Sequence, residues 1–383
     1  MYRYRKFDFR SLLNIDHPQC NYNLHQSYGT KKFDTICHYS CQEDHVDQAE
    51  YTKIFTNHFM HPEVFTVTIN DCTVGPRPVG VPRFWPILFS EYYALNFISD
   101  GAKQAFEKQG ALSQDGDDLI INTRELPVIH IPGKCVWFFA FNNMDHLIRE
   151  TLPSLLTLRE LDYKINELTF ITPQLSDSLL QFMQALGIPP QNILQFEGRW
   201  LSFDELIIPC FTGGGHLHTP TEYYKRTGGL LRERCARFLD KEAKPKRIFV
   251  SRCRASTRRI LNETNIINDL RKRGFSIIDP GNFSRAEQVA MFSQAEVIVG
   301  QHGMGLASTI ASEKGKLLVE IMSTSLNKVS YFRTAQYCRV AYGCYYVEAL
   351  PLKYTCSNAF FGDILIDAKK FFAFLDPLID VYG

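Results

Sequence analysis

From Arg247 to Ile321 short apolar runs alternate with amphipathic segments, and this alternation restricts the fold more than any other feature of the chain. The apolar runs predict strands at 247–250, 275–278, 297–299 and 317–321. The segments between them predict helices at 263–273, 284–295 and 306–311, the first stopped by Gly274 and the second opened by Ser284 and Glu287 at the spacing of a capping box. Leu326, Val329, Phe332 and Ala335 mark one more helix face. Strands interleaved with helices imply a parallel sheet with crossover helices, a Rossmann-like α/β unit.

The same alternation, less regular, starts near Leu126. Strands are expected at 136–140, 168–171, 193–196 and 206–208, and helices at 145–161, 176–186 and 223–239. A chain of 383 residues exceeds what one core usually serves. The polar, proline-containing run 241–246 is the expected link. The reading is therefore an N-terminal domain over 1–240, a C-terminal Rossmann-like domain over 241–350, and a closing helical segment over 351–383 with Pro377 inside it. Residues 1–125 read as irregular, with Pro76, Pro78, Pro82 and Pro86 close together and a polar stretch at 109–118.

In a parallel sheet all strand ends point to one edge, and ligands bind there. Two ends in the second half carry chemistry. One is the run Val297 to Leu306, in which a buried strand gives way to Gln301, His302, Gly303, Met304 and Gly305 and then to a helix. Free backbone N–H groups and the helix dipole favour an anion at such a junction, and glycines let the backbone approach a phosphate. The other end carries Arg252, Arg254, Arg258 and Arg259, followed by Asn262. Guanidinium groups clamp phosphate through paired hydrogen bonds. Glu320 ends the next strand, at a position suited to accepting hydrogen bonds from ribose hydroxyls. In the first half His146 and Glu150 lie four apart on one helix face, and Asp145 and Arg149 on the next, with Asn142 or Asn143 as the cap. A histidine oriented by a carboxylate is suited to general-base work. The competing readings are a plain strand-to-helix turn, a solvated basic loop, a surface carboxylate and a structural helix.

Other features bear on class and setting. The net charge of +1 argues against a broad nucleic-acid surface. Eleven scattered cysteines and no secretory signal point to a reducing, cytoplasmic location. Cys37, Cys41 and His45 have a four-residue spacing that one helix face would gather, for packing or for zinc. No metal site is expected from them, since no second Cys/His pair stands nearby. The glycine run at 213–215 with His216 and His218 suits a cleft-lining loop. No apolar stretch approaches the roughly 18 residues of a membrane span, and the basic, aromatic start Met1 to Lys6 leaves room for peripheral membrane contact.

Taken in order, these segments resemble glycosyltransferase family 61, which includes plant xylosyl- and arabinosyltransferases and animal N-acetylglucosaminyltransferases. Ile248 to Arg252 with Arg259-Ile-Leu-Asn-Glu263 is similar to the family's "SR…R.(I/L)NE" element. Val299-Gly-Gln-His-Gly-Met-Gly-Leu306 resembles its "VG.HGAGL", Val319-Glu320-Ile321 its "VEI", and Asp145-His146 with Glu150-Thr-Leu-Pro153 its "HW..E.LP". The chain departs at Gln301, Met304 and Leu147, and at 311–315. The resemblance implies a GT-B fold, two Rossmann-like domains facing across a cleft, and an inverting, metal-independent transfer from a nucleotide-sugar, read as a UDP-sugar, to a glycan, lipid-linked or protein acceptor. No cofactor is implied. Asp115-Gly-Asp117 has the spacing of a metal-binding DxD element but lies in a polar loop. The implied base is His146, or Asp145 or Glu150 beside it. Donor binding falls to Arg252, Arg258, Arg259, Asn262, Gln301, His302, Gly303, Met304, Gly305 and Glu320. The rivals are a sugar-nucleotide epimerase or hydrolase and a non-catalytic partner subunit of the same shape.

Overall fold

The computed structural model describes residues 2–5, 20–74, 80–82, 112–115, 118–121, 128–138, 142–196, 200–210, 213–214, 219–239, 245–350 and 362–383. In chain order the strands of its two large sheets are β1 (Cys20–Gln26), β2 (Cys37–Cys41), β3 (Val64–Val74), β4 (Gly80–Pro82), β5 (Val128–Trp137), β6 (Thr169–Pro173), β7 (Ile193–Phe196), β8 (Trp200–Pro209), β9 (Arg247–Val250), β10 (Phe275–Ile278), β11 (Val297–Gln301), β12 (Leu317–Ser323) and β13 (Ala341–Val347). The helices that matter below are α1 (Met144–His146), α2 (Ser154–Glu160), α3 (Asp177–Ala185), α4 (Glu222–Cys235), α5 (Glu263–Lys272), α6 (Arg285–Gln294), α7 (Ser330–Cys338) and α8 (Ala368–Tyr382).

The first sheet has the order β7-β6-β5-β8-β3-β1, with β4 also on β3. Its strands β5 to β8 run parallel, and β3 and β1 continue it antiparallel. The second sheet has the order β10-β9-β11-β12-β13-β2 and is parallel throughout. Its first five strands follow the doubly wound 2-1-3-4-5 pattern. Side chains on both faces of β11 are buried: Val297 and Val299 belong to one core cluster with Phe249, Ile266 and Leu375, and Ile298 to another with Ile248, Phe332 and Tyr342. A strand buried on both faces reads as a continuous apolar run, which is why this half is the plainer one in the sequence.

Several elements differ from expectation. Residues 145–161 are two helices, not one. Between α1 and α2 the segment Leu147–Thr151 makes a wide π-turn, closed by the Leu152 N–H on the Leu147 carbonyl at 2.9 Å. Pro153 lacks an N–H and cannot continue the ordinary ladder across this point. Cys37 and Cys41 lie on a strand rather than a helix, paired with β13. Burial pushes their thiols up, to about 12 and about 11, away from the thiolate that a metal needs. Among the described residues no group of three or more His, Cys, Asp or Glu is placed to hold a metal ion. The segment 306–311 is part of a 3₁₀ helix, Met304–Ala311. Helix α8 runs through Pro377 without stopping, and Ile364 before it bridges to Ile260. The capping box of Ser284 and Glu287 forms as expected.

Residues 1–125 contribute to both sheets: β1 and β3 widen the first, and β2 is the outer strand of the second. His216, His218, Asp117 and most of the 241–246 link lie outside the described residues. No helix among the described residues is long and apolar enough to cross a membrane.

Candidate active site

Each sheet has a switch point, where consecutive strands leave in opposite directions and a crevice opens at the carboxyl ends. In the second sheet it lies between β9 and β11, beside Arg252 and the His302 turn. In the first it lies between β5 and β8, and α1 starts just beyond β5. The two edges touch. The Met144 N–H donates to Met304 Sδ at 3.3 Å, and the Tyr331 hydroxyl stands 3.3 Å from Asp145 Oδ1.

On the first edge Asn143 caps α1, its Oδ1 accepting from the Asp145 N–H at 2.9 Å and the His146 N–H at 3.4 Å. The π-turn that follows sets Glu150 against His146, with Oε1 at 2.8 Å from Nδ1. A carboxylate on Nδ1 favours the tautomer that carries its proton there, which places the basic lone pair on Nε2. The His146 side chain is 38% exposed, and that of Glu150 14%. Asp145 is engaged differently: Arg149 holds both its oxygens, Nε at 3.0 Å from Oδ1 and Nη2 on Oδ2. Burial works against the Arg149 charge, but Asp145 more than compensates and raises its pKa. A π-turn costs helix regularity and recurs at functional sites.

On the second edge β11 ends in Gln301, and the His302 N–H continues the ladder to the Ile321 carbonyl at 2.9 Å. His302 Nδ1 pairs with Glu320, whose other oxygen accepts from the Tyr342 hydroxyl. Gly303 has φ of 154°, and a Cβ there would overlap Arg252 Nη1, so only glycine fits. A Cβ on Gly305 would come within 2.9 Å of Val250 Cγ1. The first N–H groups of the Met304–Ala311 helix have no acceptor within it and point out of its start.

The loop after β9 wraps around Arg252. Its Nε and Nη2 donate to the Arg258 and Thr257 carbonyls, each at 2.9 Å, and its backbone N–H donates to Glu263 Oε2 at 3.1 Å. The bend puts Arg258 at φ of 54°, a left-handed value unusual outside glycine. Burial, and next the charge of Arg258, press the pKa of Arg252 down to about 10, and burial also lowers that of Arg258. Both stay cationic at neutral pH. Cations stripped of water in this way would be relieved by an anion.

The structure thus gathers Arg252, Arg258, His302, Gly303, Met304 and Gly305 on one side, and Asp145, His146 and Glu150 on the other. It does not add every expected residue to them. Arg259 is tied to Asp363, with Nε and Nη2 at 3.1 and 2.7 Å from Oδ2, and Arg254 to Asp279 at 3.0 Å. Asn262 clamps the Ile366 backbone, donating to its carbonyl at 2.8 Å and accepting its N–H at 2.9 Å. Glu320 is fully buried and both its oxygens are taken, so it supports His302 rather than offering itself to a ribose. Gln301 is buried beside His302, and its Oε1 meets no donor among the described residues. Sequence reading met Glu263 only as the end of a family-like element and missed Tyr331, Tyr342 and Asp363. A buried phenol needs a polar partner, but nothing in its neighbourhood in the chain says which.

A histidine held by a carboxylate, on a segment that touches a glycine-rich turn beside buried cations, is suited to moving a group off an anionic leaving group. The family model Glycosyltransferase 61 matches residues 144–319, a span that opens at α1 and closes within β12. Over that region the chain is similar to glycosyltransferase family 61, which supports glycosyltransferase activity. No curated protein matches it.

Proposed function

We propose that the protein is an inverting, metal-independent glycosyltransferase of GT-B type, which moves a sugar from a nucleotide-sugar, a UDP-sugar by preference, to a hydroxyl of a glycan, lipid-linked or protein acceptor. His146 is the base. Its Nε2 takes the acceptor proton while the acceptor oxygen attacks the anomeric carbon, and the bond to the diphosphate breaks on the opposite face. Asp145 is a poorer candidate, since Arg149 occupies both its oxygens. The leaving charge falls to Arg252, Arg258 and the N–H groups of the Gly303–Gly305 turn, which act as fixed electrostatic stabilisers. The observation that carries the reading is that the helix start bearing His146 lies against the His302 turn, the Met144 N–H donating to Met304 Sδ at 3.3 Å. The proposed setting is cytoplasmic, supported by the free thiols of the described cysteines.

The test is a thermal titration with UDP, UDP-sugars, GDP-mannose and CMP-sugars without added metal. A ligand at 100 times its dissociation constant stabilises a fold by about 2.7 kcal/mol. Wild type should respond to one nucleotide class, R252A should lose the response, and R259A, whose guanidinium serves Asp363, should keep it. No response from wild type with any nucleotide would remove the transferase mechanism.

A further inference from the structure

Tyr331 touches both halves of the site through its hydroxyl. It lies on α7, 1% exposed, and its ring meets the edge of His302 with centroids 5.3 Å apart. Its hydroxyl donates to the Gly303 carbonyl at 2.6 Å, and the same oxygen lies 3.3 Å from Asp145 Oδ1. A phenol has one proton to donate and here stands before two acceptors. The shorter contact fixes the peptide of the donor-side turn. The longer one borders the carboxylate that Arg149 grips, and Arg149 lies inside the π-turn, next to Glu150. Burial, followed by the charge of Asp145, holds the phenol protonated far above its usual range, so the donor role persists at any working pH. The other buried phenol of α7, Tyr337, also donates to a backbone carbonyl, that of Pro220 at 2.7 Å, but away from both edges.

We propose that Tyr331 is a positioning residue that couples the donor-side turn to the base-bearing helix through its shared hydroxyl. The inference rests on the transferase reading for its kinetic consequence but not for its structural one. Removing the hydroxyl leaves Gly303 and Asp145 without their common neighbour, and the edges keep the weaker contact of the Met144 N–H with Met304 Sδ. Arg252 and Arg258 still hold the diphosphate. A base displaced by even about 1 Å can cost on the order of a hundredfold in rate.

The experiment compares Y331F with Y337F, which loses an equivalent buried hydrogen bond on the same helix. The histidine ring resonances of the full chain are followed by NMR, assigned by single substitution, and sugar transfer is measured with UDP affinity alongside. Y331F should move the His146 resonance, on the far side of Asp145, and lower kcat by about tenfold or more with UDP affinity within about threefold of wild type. Y337F should change neither. An unmoved His146 resonance in Y331F overturns the coupling, as does a Y331F whose kcat matches that of Y337F. A loss confined to UDP affinity overturns it too, making Tyr331 a support of the donor turn alone. Should wild type bind no nucleotide, the transferase reading fails by itself, and the His146 resonance still decides the coupling.

Discussion

His146 and His302 are held in the same manner, each with a carboxylate on Nδ1, Glu150 for one and Glu320 for the other. Burial separates their tasks. The His146 side chain is 38% exposed and can meet an acceptor, whereas that of His302 is 10% exposed and fixed within the turn. H146A should therefore lower kcat by about 10²–10⁴-fold while leaving UDP affinity nearly unchanged, because general-base catalysis contributes on that scale. E150Q should cost less, since the ring stays in place. D145N should act on stability instead: Arg149, 7% exposed, would lose its charge-assisted hydrogen bonds to a carboxylate, a loss of about 1.5–3 kcal/mol by thermal unfolding. A D145N protein that folds as well as wild type yet transfers no sugar would return the base role to Asp145. The sequence allowed the His146–Glu150 pair and the glycine turn to be found, because both are local patterns. It hid the fate of Arg259, whose partner Asp363 lies 104 residues away, and it left Tyr331 as one more residue of a helix.

Helix α4 carries two adjacent glycines in its interior, which intrinsic propensity disfavours. Their reasons differ. A Cβ on Gly228 would collide with the carbonyl oxygen of Ile310, so α4 packs backbone to backbone against the Met304–Ala311 helix that begins at the His302 turn. A Cβ on Gly229 would meet only Arg232 Nη2 at 3.8 Å. G228A should destabilise the fold by about 1–3 kcal/mol through overpacking. G229A should stabilise it by about 0.5–1 kcal/mol, as alanine does in an open helix position. Equal effects of the two substitutions on the unfolding temperature would show that the close approach of the two helices is not what fixes Gly228. Strands and helices of the second half were legible because their apolar periods are clean. The π-turn was not, since the same apolar positions satisfy one long helix until Pro153 is weighed. Nor was β13, whose run Ala341 to Val347 is rich in tyrosine and has no helix pattern after it to frame it.

At the scale of the whole molecule the expected division at residue 240 describes the chain order better than the packing. Strand β2 crosses it, pairing with β13 from Tyr342 to Tyr346, and the residues around it anchor the second half in other ways. Arg333, 5% exposed, donates to the Thr56 carbonyl at 2.6 Å and stacks on Phe59 at 4.3 Å. Gln42 accepts the Asp367 N–H at 2.7 Å, and Lys370 pairs with Asp44 at 3.0 Å. A fragment of 245–383 alone would leave β13 as an open edge with buried tyrosines uncovered, and unpaired edges of this kind recruit other chains. It should be recovered as an aggregate, or as a species without a cooperative melt. Joining 33–63 to the same fragment through a flexible linker should restore a sharp transition and dispersed amide resonances, because that segment brings β2, Thr56 and Phe59 together. Such a pairing across some 300 residues leaves no trace in local periodicity, which is why the first 125 residues read as irregular when part of their task is to complete the other sheet. A fragment of 245–383 that melts cooperatively without the added segment would show instead that the second half is self-sufficient and that β2 only decorates its edge.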